Sequence, residues 1–395
     1  MLILSICIYK MRISTIDKEI VEERAELKRT RKNRKKQKNG GIKKIFSILL
    51  NLGSVGIITG MTLLYGPWPN FREWLITTAM TTMRHKYYAT SFFSQEVIDD
   101  VLNRNKVVEV DEDTNINLIN IGVSNKTEYA NEYERQILER DPENNDYKII
   151  EISEKKFDGY LVAVYDPARI QAVCTKNLGV SGQYLTTMAE DHDAILAING
   201  GGFDDPNFSS TGGSPLGVTL CNWEITSRAS YNGAGGIIGF TRANKLILTS
   251  HVSVKEAKDK DIRDGVTFGP FLIVNGKASS VVGNGGWGTA PRTAIAQRTD
   301  GIVLFLVIDG RTASKPGADM DDLIDVLKKY GAYNAANLDG GTSSVLVVKN
   351  TIVNDPIDSA GAHKTRPIST GFIVTKDDSD DGDHSVVADK LGEDE

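Results

Sequence analysis

The chain of 395 residues carries only three cysteines, Cys7, Cys174 and Cys221. Cys7 lies in the basic N-terminal region, so only Cys174 and Cys221 remain to support the rest. Disulfides therefore cannot be the main support of this fold, and a bridge between these two cysteines is left open. Histidine is equally scarce. None of the five histidines has zinc-type HxxxH spacing, and the two later cysteines are far apart in sequence, so no metal is assigned. His85 and His384 lie outside the region with chemical motifs; His192, just upstream of the AINGGGF strand, is read as a packing or surface residue with a site role as the alternative, and His251 and His363 show no ligand spacing. No repeat of fixed period is visible. Charge is missing altogether from Ile45 to Tyr65, twenty-one residues that would make a helix about 31 Å long, enough to span a hydrocarbon core.

Before this gap, residues 1–44 hold fourteen Lys and Arg against five Asp and Glu. That balance of +9, set against a net charge of −6, leaves −15 for the remainder. The pattern predicts one transmembrane anchor with its N-terminus cytoplasmic and everything after Tyr65 outside the cell. A cleavable signal peptide fits less well: the basic region is long, the apolar segment exceeds a normal h-region, and no small-x-small site precedes the bulky YGPWPNF. The basic run Lys28–Lys38 has the composition of a nucleic-acid patch, but its place beside a span makes topology the simpler cause, and no nucleic-acid partner is expected.

The expected organisation is a basic cytoplasmic segment at 1–44, an anchor at 45–65, and a juxtamembrane helical segment with a linker at 66–145. A catalytic domain follows at 146–376, then an acidic, disordered tail at 377–395. Within the juxtamembrane segment, Gln95–Leu102 reads as helix, and polar 107–146 as linker or surface loop. From Tyr147 onward the chain turns to short β-type runs with glycine-rich turns. A helix is expected around Gln183–Glu190 and a strand at Ala194–Asn199. The fold class is α+β, a mixed β-sheet core with flanking helices, preceded by the single transmembrane helix.

Two strand ends carry carboxylates. The apolar run Ile302–Ile308 ends in Asp309, Gly310 and Arg311, and Asn337–Ser344, NLDGGTSS, places Asp339 before Gly340, Gly341, Thr342 and Ser343. Between them, Met320, Leu323, Ile324 and Leu327 fall at helical spacing, with acids in the first turn, lysines in the last and Gly331 as a stop. Strand, helix, strand follows, and if the strands are parallel both ends lie on one sheet edge. Isolated DG pairs are usually turns; here arginine and hydroxyls accompany both. AINGGGF, Ala197–Phe203, adds Asn199 and a glycine triplet able to form an anion-binding nest at Gly200 and Gly201. PRTAIA, Pro291–Ala296, puts Arg292 at the mouth of an apolar run, where it suits phosphate or carboxylate recognition. Acidic pairs such as Asp204 and Asp205 are read as solvated loop residues, with calcium binding the alternative. NFS at 207–209 matches a glycosylation acceptor.

In this order, NGGGF, PRTAIA, IDGR and NLDGGTSS resemble the phosphodiester glycosidase family over about 146–375, and the anchored N-terminal part looks like bacterial members associated with exopolysaccharide synthesis. Thr342 stands where a third glycine is common, and the second aromatic often found after the NGG turn is absent. The resemblance implies a hydrolase cleaving the glycosidic bond of sugar 1-phosphodiesters, with Asn199, Arg292, Asp309, Arg311 and Asp339 in or around the cleft. Asp339 is expected to activate water or support an oxocarbenium-like transition state, and Asp309 to orient Arg311 or act as partner. Arg292, Arg311, the N–H groups near Gly200, Gly201, Gly340 and Gly341, and the hydroxyls of Thr342 and Ser343 are expected to hold phosphate. No cofactor is required by this chemistry, and a divalent cation such as calcium is left open. The expected partners are a sugar phosphodiester or phosphate-containing polysaccharide, the membrane, and polysaccharide synthesis machinery. A non-catalytic polysaccharide-binding or assembly protein is the competing reading.

Overall fold

The computed structural model describes residues 2–81, 86–122, 128–205, 211–221, 223–376 and 388–389. It divides into two compact units, Met1–Arg72 and Glu73–Glu395. The first is dominated by one continuous helix, Leu2–Tyr65. Its stretch Phe46–Tyr65 is long and apolar enough to cross a membrane, and none of it is buried. His85, the 207–209 acceptor and most of the acidic tail lie outside the described residues; within the tail, Ala388–Asp389 pairs parallel with Glu224–Ile225.

The second unit is layered, helix on sheet on sheet on helix. Its central sheet has seven strands in the order Lys277–Ala278, Phe271–Val274, Ala332–Asn337, Arg292–Arg298, Val303–Ile308, Asp158–Val164 and Tyr147–Ser153. The uninterrupted apolar run at 302–308 is explained by burial on both faces. Leu304, Leu306 and Ile308 pack with the helix Met320–Lys329, whereas Val303, Phe305 and Val307 point to the opposite core. That second core is closed by two further sheets. One has five strands, in the order Thr351–Ile352, Leu346–Val348, Ala194–Asn199, Thr370–Thr375 and Ile170–Cys174. The other has six, including Val218–Cys221, Glu224–Arg228, Ile262–Phe268, Gly236–Thr241 and Leu246–Thr249. Phe240 and Phe372 meet edge to face across these sheets at 6.2 Å.

Helix Met320–Lys329 forms for the reasons its sequence implies. Asp319 accepts from the Asp322 N–H while the Asp322 side chain accepts from the Asp319 N–H, a closed capping box. Met320, Leu323, Ile324, Val326 and Leu327 are buried as one stripe. The strands on either side of the helix, Val303–Ile308 and Ala332–Asn337, both pair antiparallel with Arg292–Arg298, which lies between them. They are therefore parallel to each other, and Asp309 and Asp339 leave the sheet at one edge, about 10 Å apart as strand positions.

The segment read as a linker, 107–146, is instead part of this unit. Lys106–Val108 pairs with Ser280–Val282, Ile119 and Ile137 are fully buried, and the Glu109 carboxylate accepts from the Gly235 and Phe271 N–H groups. Its polar residues cap and turn short elements, as Asn131 does for the helix Glu132–Leu138. Cys174 and Cys221 form a disulfide with their Cα atoms 5.8 Å apart.

Candidate active site

Five strand ends converge beside Asp339. Ala332–Asn337 delivers Asp339, Val303–Ile308 delivers Asp309, Arg292–Arg298 begins with Arg292, Ala194–Asn199 ends in Asn199 and Thr370–Thr375 begins with Thr370. Asn199 is 1% exposed and links three of these elements. Its Nδ2 donates to the Asp339 carbonyl at 2.6 Å, and its Oδ1 accepts from the Thr293 hydroxyl at 2.7 Å and the Val345 N–H at 3.2 Å. The Asp339 N–H in turn donates to the Gly200 carbonyl at 3.1 Å. Asn199 thus positions the Asp339 backbone, with its Oδ1 filled by Thr293 and Val345 and one Nδ2 hydrogen committed to the Asp339 carbonyl.

The Asp339 side chain accepts from the Gly340 N–H at 2.9 Å and from the Ser343 hydroxyl. Burial pushes its pKa above the ordinary value, partly opposed by the Ser343 bond and the Arg366 charge. This is the environment of a carboxylate whose proton affinity is raised toward that of a useful base. Asp309 is also raised by burial. Its carboxylate accepts from Asn354 Nδ2 at 2.8 Å and from the Asp355 N–H at 3.1 Å.

Several sequence expectations need correction here. Asp309 does not orient Arg311. Arg311 has φ +64°, and its Nη1 donates to the Thr342 hydroxyl at 2.8 Å and the Ile357 carbonyl at 2.6 Å. The Asp309 carboxylate is committed to Asn354 and Asp355. Nor do Gly200, Gly201, Gly340 and Gly341 form an open anion nest. Their N–H groups donate to the Thr370 carbonyl, the Thr370 hydroxyl, Asp339 and the Pro291 carbonyl respectively. Glycine is required by close packing instead: a Cβ at Gly200 would sit 2.6 Å from Thr370 Oγ1, and one at Gly341, where φ is +65°, would sit 2.8 Å from Arg311 Nη2. Arg292 is buried rather than displayed. Its Nε donates to the Ala318 carbonyl and its Nη2 to the Trp287 and Gly288 carbonyls, leaving only Nη1 without a hydrogen bond among the described residues. Burial lowers its pKa to about 10. Burial also lowers that of Arg311, whose guanidinium has no ion-pair partner among the described residues.

Two residues were missed by the sequence reading. Asp205, taken for a solvated loop residue, is 4% exposed and pairs with Arg366 at 2.8 Å. The Arg366 guanidinium lies 4.6 Å from the centroid of the Phe203 ring. Both charges act on Asp339, Arg366 lowering its pKa and Asp205 raising it. The aromatic two residues before Asp205, in GGGFDD, was the available hint. Among the described residues, no group of three or more His, Cys, Asp or Glu could hold a metal ion. His192 is half-buried at the other end of Ala194–Asn199 and contributes nothing here.

Residues 192–375 match the family model described as phosphodiester glycosidase, a span starting later than the resemblance read from sequence. The chain is 26% identical over 180 residues to the SPbeta prophage-derived uncharacterized protein YomE of Bacillus subtilis (strain 168), covering 44% of this chain and 27% of that protein. It therefore spans about a quarter of the length of this curated relative. Among solved structures, it resembles the catalytic domain of zebrafish N-acetylglucosamine-1-phosphodiester alpha-N-acetylglucosaminidase auto-inhibited by its pro-peptide. That likeness has a TM-score of 0.48 and 19% identity, over 58% of this chain and 82% of that one. A hypothetical protein from Synechocystis matches with a TM-score of 0.39 and 16% identity, over 57% and 61% of the two chains. The match over residues 192–375 to the phosphodiester glycosidase model supports a glycosidase-type hydrolase.

Proposed function

We propose that the chain is a membrane-anchored hydrolase that cleaves the sugar C–O bond of sugar 1-phosphodiesters, outside the cell, in surface polysaccharides or teichoic-acid-like polymers. The observation that carries this reading is a buried carboxylate of raised pKa, Asp339, within electrostatic reach of Arg292 and Arg366 at one sheet edge. A phosphodiester is already a good leaving group, so strong general-acid help is not needed and one well-placed base can suffice. Asp339 takes a proton from water attacking the anomeric carbon, or stabilises the positive charge developing there. Phosphate faces Arg311 and Arg292 Nη1, and Thr342 sets the Arg311 guanidinium. Asp205 and Arg366 hold the Asp339 proton affinity between opposing influences. Anchoring rests on Phe46–Tyr65 and orientation on the basic residues before it.

The test is release of free sugar from a panel of sugar 1-phosphodiesters by the full chain in detergent, run in isotopically labelled water. Label in the sugar supports the reading. Label in phosphate means P–O cleavage, and polymer binding without sugar release on long incubation means a non-catalytic role; either outcome rejects it.

A further inference from the structure

A cavity of about 950 Å³ opens at the far ends of the strands that carry the candidate active site. It is lined by Ala194 and Ile195, which begin Ala194–Asn199, and by Thr375, which ends Thr370–Thr375. Asn199 and Thr370, at the opposite ends of these strands, belong to the Asp339 cluster. Five residue steps separate the two ends, about 17 Å, so this cavity is a second place and not a lobe of the first.

Its lining is cationic and aromatic. Arg242, Arg263, Lys349 and Lys376 face it, against Asp193 as the one lining carboxylate. Arg242 is paired with Asp261 and Arg263 with Asp264. Lys349 and Lys376 are exposed and have no carboxylate partner among the described residues. Arg263 is 1% exposed, and its Nε is buried without a hydrogen bond, which is unusual for a guanidinium N–H. The guanidinium carbons of Arg263 and Arg242 lie 5.5 and 5.8 Å from the centroid of the Trp223 ring.

Trp223 occupies a position that a turn alone would not give it. It lies in the turn directly before Glu224, which pairs with Cys221, and has φ +64°. Glycine is the usual occupant of such a position, and a bulky residue there carries a backbone penalty. Part of the ring packs against the core around Val218 and Ile225, yet the residue is half-exposed and lines the cavity. Gln171, Asn244 and Asn350 complete the lining with amides able to donate to and accept from hydroxyls. An aromatic wall, amides and unpaired ammonium groups together match a sugar chain bearing an anionic substituent, and the volume exceeds what a single sugar would fill.

We propose that this cavity is an accessory site for a phosphate-bearing oligosaccharide, separate from the Asp339 cleft. Lys349 and Lys376 meet the phosphate, Trp223 stacks on a sugar ring, and the amides read hydroxyls. The proposal stands on the cavity's own chemistry and does not require the hydrolase reading. It is tested by calorimetric titration of the full chain in detergent with phosphorylated maltotriose, maltotriose and inorganic phosphate, with hydrolysis of a small sugar 1-phosphodiester measured in parallel. Phosphorylated maltotriose should bind about tenfold or more tighter than either other probe. The double variant Lys349→Ala/Lys376→Ala, on exposed positions, should lose that advantage while hydrolysis is unchanged. Trp223→Gly, which relieves the turn, should weaken the two sugars and leave inorganic phosphate unaffected. Equal binding of the three probes, or undiminished affinity in the double-lysine variant, would overturn the site whether or not hydrolysis is observed.

Discussion

At the scale of single residues, the candidate site separates groups that act from groups that hold. Asp339→Asn keeps the shape of the side chain and removes the base, so kcat/KM should fall by about 10²–10⁴-fold with the melting temperature little changed. Activity that depends on ionised Asp339 should decline as pH falls through its raised pKa, so the acid limb of kcat/KM should lie above 3.8, the ordinary value for this group. Arg366→Gln removes a charge that lowers that pKa and should move the limb to higher pH. Asp205→Asn removes one that raises it and should move the limb the other way; parallel shifts in the two pH profiles would contradict the assignment. Arg292→Ala is expected to unfold the site as well as inactivate it. The Trp287 and Gly288 carbonyls lose the Arg292 donor, and Ala318 keeps only the Ala290 N–H, a loss on the order of 1–3 kcal/mol for each carbonyl left buried and unpaired, visible as a lower denaturation midpoint. The sequence picked out Asp339, Arg292 and Arg311 because each ends or begins an apolar run. It did not show that Arg292 and Asn199 spend polar atoms on structural partners, because Ala318, Thr293 and Val345 come from elements distant in sequence, and the carbonyl of the nearby Trp287 reaches Arg292 only through the fold of the turn between them. Asp205 was misread for the same reason: Arg366, which accounts for its burial, is 161 residues away.

At the scale of elements, local signals were enough where one helix or strand decides its own fate. The stripe Met320, Leu323, Ile324, Leu327, the acids before it and Gly331 after it define the observed helix almost to the residue. Asp319 does more than cap it. It accepts from the Asp322 N–H and pairs with Lys156 at 2.9 Å, while its neighbour's carbonyl, at Ala318, receives Arg292. Asp319→Ala should therefore cost about 1 kcal/mol of stability from the lost cap. Some loss of kcat/KM should follow through the Ala318 carbonyl, and thermal melts and kinetics on the same preparation measure both. The segment 107–146 was illegible because its polar residues serve as caps and turn formers for short elements whose apolar residues, Ile119 and Ile137, are too sparse to show a period. Composition alone reads such a stretch as a loop.

At the scale of the whole molecule, the α+β class and the helix–sheet layering were legible, whereas three large sheets sharing one unit were not, since sheet membership is set by pairing between distant strands. The Cys174–Cys221 bridge closes 47 residues between two such strands. Chain-entropy reasoning gives it about 4 kcal/mol, so Cys174→Ser/Cys221→Ser should lower the denaturation midpoint strongly. The same double substitution should leave the Asp339 pH profile in place in whatever fraction stays folded.

Arg311 gives the molecule an unusual separability. A side chain that holds a φ of +64° sets the comfort of its own backbone against its service to the site. Replacing it with glycine removes the guanidinium and relieves the backbone in one step. Arg311→Gly and Arg311→Ala both lose the bonds to Thr342 and Ile357, but only glycine relieves the backbone, so Arg311→Gly should melt higher than Arg311→Ala while kcat/KM drops in both. If so, this position carries backbone strain for the sake of turnover.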